Sequence, residues 1–270
     1  EYTVLYLNEG HYNENEIQTY LSSYPFHFII QQISAEEKER LDQCNQTQRE
    51  DYLAIIKRRM FVQTAKELGC SLIYTGDNST RIAIKIIDFT GKGRGFTLPF
   101  EVGRDDLHLA DASLPTSIVR PLMEHTSKEV AFYCYHNRLL GTKPELNLLK
   151  TQTQTTTKDS LQTITEHFIV ALERDYSSTV STVSKTATKF TTSITTLSES
   201  LLLPRCVYCA MPIPEGIDEW YKGTTIFNPL TTNEEKLATS SDNSNQSRCC
   251  YPCRVAKFPW KPDSQLKMQY

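Results

Sequence analysis

EYTVLYLNEGHYNENEIQTYLSSYPFHFIIQ, residues 1–31, is the stretch that sets the fold class. TVLYLN at Thr3 to Asn8 and FHFIIQ at Phe26 to Gln31 are short apolar runs rich in β-branched and aromatic residues, each flanked by polar, turn-like sequence. NENEIQTYLSSY between them reads as a helix. Strand, helix and strand in this order form a crossover, the connection that parallel strands require. The alternation continues downstream. Arg49 to Leu68 reads as a long helix, with Leu53, Ile56, Met60, Thr64 and Leu68 near one face and Gly69 as its stop. SLIYTG, Ser71 to Gly76, is a third strand ending in glycine.

From Asp77 the spacing is helical again, with Asp77 or Asn78 as N-cap and Ile82, Ile86 and Phe89 on one stripe, ended by Gly91, Gly93 and Gly95. SIVRPL, Ser117 to Leu122, is a fourth strand, followed by a helix capped by Thr126 with Glu129 at the capping-box position and Gly141 as terminator. Strands alternating with helices predict an α/β fold, a parallel sheet with helices on both faces. That domain is expected over residues 1–150. TQTQTTTKDS, from Thr151, is a polar join, and residues 151–203 read as a helical and Ser/Thr-rich connecting segment. Residues 204–270 read as a small cysteine-rich module.

At 270 residues the chain can bury a sizeable core, and its formal charge of -3 leaves any nucleic-acid contact to a local basic face. There is no run of about 18 apolar residues and no basic leader followed by a long apolar stretch, so no membrane contact and a soluble, intracellular setting are expected. The sequons at Asn45, Asn78 and Asn245 read as accidental in a chain this rich in Ser and Thr. Glu1 stands almost against a strand of buried type, so a preceding segment is expected.

The strongest local chemistry is Cys206-Val-Tyr-Cys209 followed by Cys250-Tyr-Pro-Cys253. Each C-x-x-C places two thiolates on one side of a tight turn, and two such knuckles complete a tetrahedron, so these four cysteines are expected to bind structural zinc. The long interval between the knuckles requires a loop, which Gly216 to Ser247 would supply. An iron-sulfur cluster uses the same ligand type and is the alternative metal. Disulfides or unliganded thiols are the bland reading, set aside because intracellular disulfides are rare. Cys249 is a spare. Cys70 and Cys134 read as small core residues, and Cys44 as an exposed thiol with no histidine to activate it.

The chain has no G-x-x-x-x-G-K-[ST] loop, G-x-S-x-G elbow, H-E-x-x-H or G-x-G-x-x-G after a strand, and its six histidines are scattered. GKGRG at Gly91 to Gly95 follows a helix, so it cannot aim amides from a helix N-terminus. Its two cations suit RNA phosphate as well as they suit a solvated helix end. Lys57, Arg58 and Arg59 read as a solvated face that could meet phosphate.

Several segments together resemble the cytoplasmic tRNA 2-thiolation protein 2 family: YTGDNSTRIAIKIID, the GRG at Gly93 to Gly95, IVRPLMEHTSKEVAFYCYHNRLLG, HFIVALERDYSSTVSTVSKTATKF and the two terminal C-x-x-C pairs. The resemblance implies an adenine-nucleotide hydrolase-like domain of the PP-loop ATPase type, a heterodimer with thiolation protein 1, and action with a ubiquitin-like sulfur carrier on the wobble uridine of tRNA. In active relatives ATP adenylates the uridine and a sulfur displaces the adenylate. That chemistry needs an S-G-G-x-D-S type loop, which this sequence does not contain, so ATP binding here lacks its loop.

Catalytic members carry T-G-H-N-x-D-D where this chain has Thr75-Gly76-Asp77-Asn78-Ser79-Thr80-Arg81, and a cysteine pair plus a third cysteine where it has only Cys44, Cys70 and Cys134. The expectation is a cytoplasmic, non-catalytic subunit with no catalytic residue of its own, holding tRNA phosphate through Lys57, Arg58, Arg59, Lys92, Arg94, Lys185 and Lys189. The alternatives are a thiolase using Cys70 or Cys134 whose nucleotide loop lies outside this sequence, and a zinc-stabilised interaction module without a tRNA role.

Overall fold

A computed structural model describes residues 2–9, 14–22, 24–102, 105–106, 116–139, 160–187, 203–224 and 249–260. β1 (Thr3–Asn8) and β2 (His27–Gln32) pair in parallel, Thr3 opposite His27 through Asn8 opposite Gln32, and α1 (Glu14–Leu21) lies between them in sequence. Next come α2 (Ala35–Asp42), α3 (Gln46–Glu67), β3 (Leu72–Tyr74), α4 (Ser79–Gly91), α5 (Leu98–Val102), β4 (Asp105–Asp106) and β5 (Ser117–Val119). β3 and β5 are parallel, with β4 antiparallel on the far side of β5. α6 (Ser127–His136), α7 (Leu161–Asp175), α8 (Thr179–Ala187), α9 (Ile217–Thr224) and α10 (Tyr251–Ala256) complete the described elements. The alternation of parallel strands and helices is the expected α/β fold.

The helix starts follow local chemistry. Asn78, not Asp77, caps α4 by accepting from the Arg81 amide. Thr126 and Glu129 form a full capping box on α6, Asn45 and Gln48 one on α3, and Ser160 caps α7. The fourth strand is shorter than expected: it stops at Val119, because Pro121 has no amide to continue a ladder. Gly141, the expected terminator of α6, lies outside the described residues, and the helix ends at His136 with Asn137 as its C-cap.

The buried face of α3 is also turned from the expected one. Leu68 is exposed, and the buried residues are Asp51, Tyr52, Ile55, Ile56, Val62, Thr64 and Ala65. The helix serves two cores, so no single stripe describes it. Val62 packs on Ile73 and Ile118 of the second sheet. Tyr52, Ile55 and Ile56 join Ile33, Leu41, Ile213, Ile217, Phe258 and the cysteines Cys206, Cys250 and Cys253 in one cluster. The cysteine segment therefore shares its core with α2 and α3. Likewise Ile169 of α7 and Val180 of α8, both fully buried, close on Ala83 of α4.

Candidate metal centre

The first knuckle is a tight reversal. Arg205 bridges Pro212, the Cys206 amide donates to the Met211 carbonyl at 2.9 Å, and the Ala210 amide returns to the Cys206 carbonyl at 2.8 Å. Ala210 takes the turn with φ of 57°. The second knuckle is a helix start: Cys250 is the N-cap of α10 but its side chain makes no capping bond, Pro252 sits in the first turn, and Cys253 follows one turn on. Both arrangements turn two sulfurs to one side.

The Sγ atoms of Cys206, Cys209, Cys250 and Cys253 all lie within 4.8 Å of one another, the one cluster of metal-ligand type among the described residues. Cys209 and Cys250 are 3.5 Å apart at sulfur, far beyond a disulfide bond. Zinc-sulfur bonds of about 2.3 Å put tetrahedral ligands about 3.8 Å apart. The four sulfurs need close by less than a bond length to reach that spacing, so they fit one tetrahedral ion. A four-iron cubane interposes a cage between its ligands and spreads them more widely.

Four thiols this close cannot all ionise together. Burial opposes charge on Cys206, yet the neighbouring thiols of Cys209, Cys249, Cys250 and Cys253 favour its thiolate and bring it well below the ordinary thiol range. Donation to Cys206 holds Cys209 and Cys253 well above that range, and Cys249 also. A divalent cation held by Cys206, Cys209, Cys250 and Cys253 would take the place of their protons, as thiolate ligation requires.

Aromatic rings fasten the segment to α3. Trp260 lies 4.6 Å and Phe258 5.8 Å from the Tyr52 ring, the Tyr208 hydroxyl donates to the Trp260 carbonyl at 2.9 Å, and Gln48 Nε2 donates to the Ala256 carbonyl at 2.7 Å. On the other side stands the end of α4. The Gly93 amide donates to the Thr90 carbonyl at 3.1 Å and the Arg94 amide to the Phe89 carbonyl at 2.7 Å, a Schellman termination with Gly93 at φ of 71°. A Cβ at Gly93 would meet the Tyr251 ring at 2.6 Å, so no side chain fits there.

The GKGRG cations are thus interior groups and not a solvated helix end. Lys92 Nζ lies 2.9 Å from Asp51 Oδ1 and 2.7 Å from Asp88 Oδ2, and Arg94 Nη2 lies 3.2 Å from Asp51 Oδ2. Burial pushes the Asp88 carboxyl up from its ordinary value, against the pull of Lys92. The sequence reading missed Asp51 and Asp88, although an aspartate beside Tyr52 on an apolar helix was a signal.

Other expected positions are scattered. Lys57 pairs with Glu9 at 2.5 Å, Arg58 with Glu101 at 2.8 Å, and Arg59 with Glu37. Lys185 is exposed in the last turn of α8, and Lys189 lies outside the described residues. Cys44 donates to the Arg40 carbonyl at 3.4 Å and is half-buried, as are Cys70 and Cys134. At the altered T-G-H-N site, Asp77 is paired with Lys85 at 2.9 Å and lies 3.5 Å from Arg120. Burial would raise Asp77, but these cations hold it below the ordinary carboxylate value.

Residues 160–255 match the family model described as "Cytoplasmic tRNA 2-thiolation protein 2". Proteins of that name are similar to most of this chain. The Bos taurus protein is 34% identical over 206 residues, covering 76% of this chain and 38% of its own length. The Homo sapiens protein is 29% identical over 211 residues, covering 76% and 39%. The Xenopus laevis protein 2-A is 28% identical over 207 residues, again 76% and 39%. The chain thus spans about two fifths of the length of these relatives. Among solved structures, "U34-tRNA thiolase NcsA from Methanococcus maripaludis with its [4Fe-4S] cluster" superposes with a TM-score of 0.51 at 12% identity, covering 85% of this chain and 73% of that one. This likeness concerns the α/β fold alone.

Proposed function

Since the chain belongs to the cytoplasmic tRNA 2-thiolation protein 2 family, we propose that it acts as a non-catalytic, cytoplasmic subunit in wobble-uridine 2-thiolation, binding tRNA and supporting thiolation protein 1 within the ubiquitin-like sulfur carrier pathway. The observation that carries this reading is Asp77, which stands where catalytic members have a histidine and is fixed by Lys85 and Arg120. A carboxylate held in two ion pairs is not poised to handle a uridine or a nucleotide.

In this reading Cys206, Cys209, Cys250 and Cys253 hold zinc. Bound there, the ion supplies a closed four-thiolate junction and no open coordination position, so its contribution is folding free energy. The knuckles and the rings of Tyr52, Tyr208, Phe258 and Trp260 then present one rigid surface beside α3. Of the seven expected phosphate contacts, Lys92 and Arg94 are turned inward. We assign the contact first to Lys185 and Lys189, with the rim of Lys57, Arg58 and Arg59 secondary. Phosphate contacts position tRNA without reading its sequence.

The test is thiolation of tRNA by the full-length chain alone and mixed with thiolation protein 1, with ATP and a sulfur donor. Thiolation by the mixture only, unaffected by replacement of Cys70 and Cys134, is the expected result. Thiolation by this chain alone would establish the thiolase alternative. Salt-insensitive or absent tRNA binding by the pair would establish the interaction module.

A further inference from the structure

Arg94 is 7% exposed, and the fold alone does not account for its guanidinium. Its Cζ lies over the Phe89 ring, 5.2 Å from the centroid. Nη2 is near Asp51 Oδ2 at 3.2 Å, but neither Nη2 nor Nε makes a hydrogen bond. Buried N–H donors without acceptors each cost about 1–3 kcal/mol, more on a charged group. Two on one side chain call for an acceptor that the polypeptide's oxygens do not supply.

No sulfur stands in hydrogen-bonding geometry to these donors here, but the clustered sulfurs are the other negative groups that act on Arg94. After Asp51, the groups whose charge acts on Arg94 are Cys253, Cys209 and Cys250, three of the four clustered cysteines. Four thiolates around a divalent cation leave two negative charges in a dry interior, where an unmatched charge is costly. The chain also aims Arg94 there by construction. The Schellman end of α4 fixes its backbone, and Gly93, one residue earlier, is the spot on which Tyr251 rests, between Cys250 and Cys253 in sequence.

We propose that Arg94 is the charge partner of the cysteine metal site, its unused Nε–H and Nη2–H donating to thiolate sulfur and thereby joining metal retention to the docking of the knuckles on α4. Asp51 pairs with the guanidinium, and Lys92, itself paired with Asp88, pairs with Asp51. Arg94 is therefore a positioning residue for the metal ligands. The proposal rests on the four cysteines binding a metal.

The experiment uses the full chain loaded with cobalt(II) as a probe, comparing the unaltered protein with Arg94→Met, Arg94→Lys and Cys253→Ser. The readouts are the sulfur-to-cobalt charge-transfer band and the rate of metal transfer to a colorimetric chelator. Arg94→Met is expected to keep a four-thiolate spectrum, with its band moved to lower energy because thiolates relieved of N–H donors give up an electron more easily. Its metal release is expected to be about 10–100-fold faster, the usual consequence of losing a group that supports a ligand. Arg94→Lys is expected to fall between, since it keeps the charge but not the fork. Cys253→Ser marks what loss of a ligand looks like.

An unaltered protein without a four-thiolate spectrum would overturn the metal reading and the proposal together. An unaltered protein with that spectrum, matched in band and release rate by Arg94→Met, would overturn the role of Arg94 alone. Should Arg94→Met fail to fold, unchanged band and release in Arg94→Lys would overturn it.

Discussion

α3 and α4 end in the same way and lead to different places. In α3 the Gly69 amide donates to the Lys66 carbonyl and the Cys70 amide to the Ala65 carbonyl; in α4 the corresponding bonds join Gly93 to Thr90 and Arg94 to Phe89. Both glycines take positive φ, 67° and 71°. Around Gly69 a Cβ would meet nothing within 4 Å, whereas at Gly93 it would enter the Tyr251 ring. The residue that follows is a half-buried cysteine in one case and a buried arginine in the other. The same backbone motif closes a helix at one site and joins two parts of the molecule at the other, and what stands against it decides which.

Removing what the α4 end docks on breaks this comparison most severely. Cys206→Ser should cost the bound metal and unfold the knuckles, since metal binding at such a site is folding free energy. Limited proteolysis is expected to cut within 203–224 and 249–260 while α3 and its Gly69 end stay protected. A variant that stays folded and metal-loaded refutes that ligand.

Gly93→Ala comes next. It combines left-handed strain of about 1–2 kcal/mol with overpacking against Tyr251 of about 1–3 kcal/mol, read by chemical denaturation. Tyr251→Ala in the same background should recover the second part only. Gly69→Ala sharpens the contrast with the smallest effect, strain alone at about 1 kcal/mol. Equal losses at the two glycines would mean that the Tyr251 contact contributes nothing.

Asp77→Asn lies between them. It takes a carboxylate from Lys85 and Arg120, and a loss of about 1.5–3 kcal/mol is expected for a hydrogen bond to a charged group. The pH dependence has a definite sign. The folded carboxyl is lowered, so its contribution is present above the unfolded value near 3.8 and fades as pH falls through the folded value. Asp77→Asn should therefore flatten the acid limb of the stability curve and leave it unchanged near neutrality apart from the constant loss.

What could be read from the sequence was what is local. The strand Thr3–Asn8, the Asn78 cap, the Thr126 capping box and the glycine ends depend on residues within a turn of one another. The paired C-x-x-C motifs were legible for the same reason, because each knuckle is a local turn. α2 was missed because AEEKERLD buries only Leu41 and presents no apolar stripe. The role of Lys92 was not legible, since Asp51 is 41 residues away in sequence. Nor was that of Arg94, whose neighbours among the cysteines are brought to it only by the packing of α10 on α4.

The measurement that tests the account most directly is metal analysis of the purified full-length chain, combined with X-ray absorption at the edge of whatever metal it carries. The account predicts one zinc per chain with four sulfur neighbours at about 2.3 Å. A chain carrying no metal, or iron with inorganic sulfide, would contradict it.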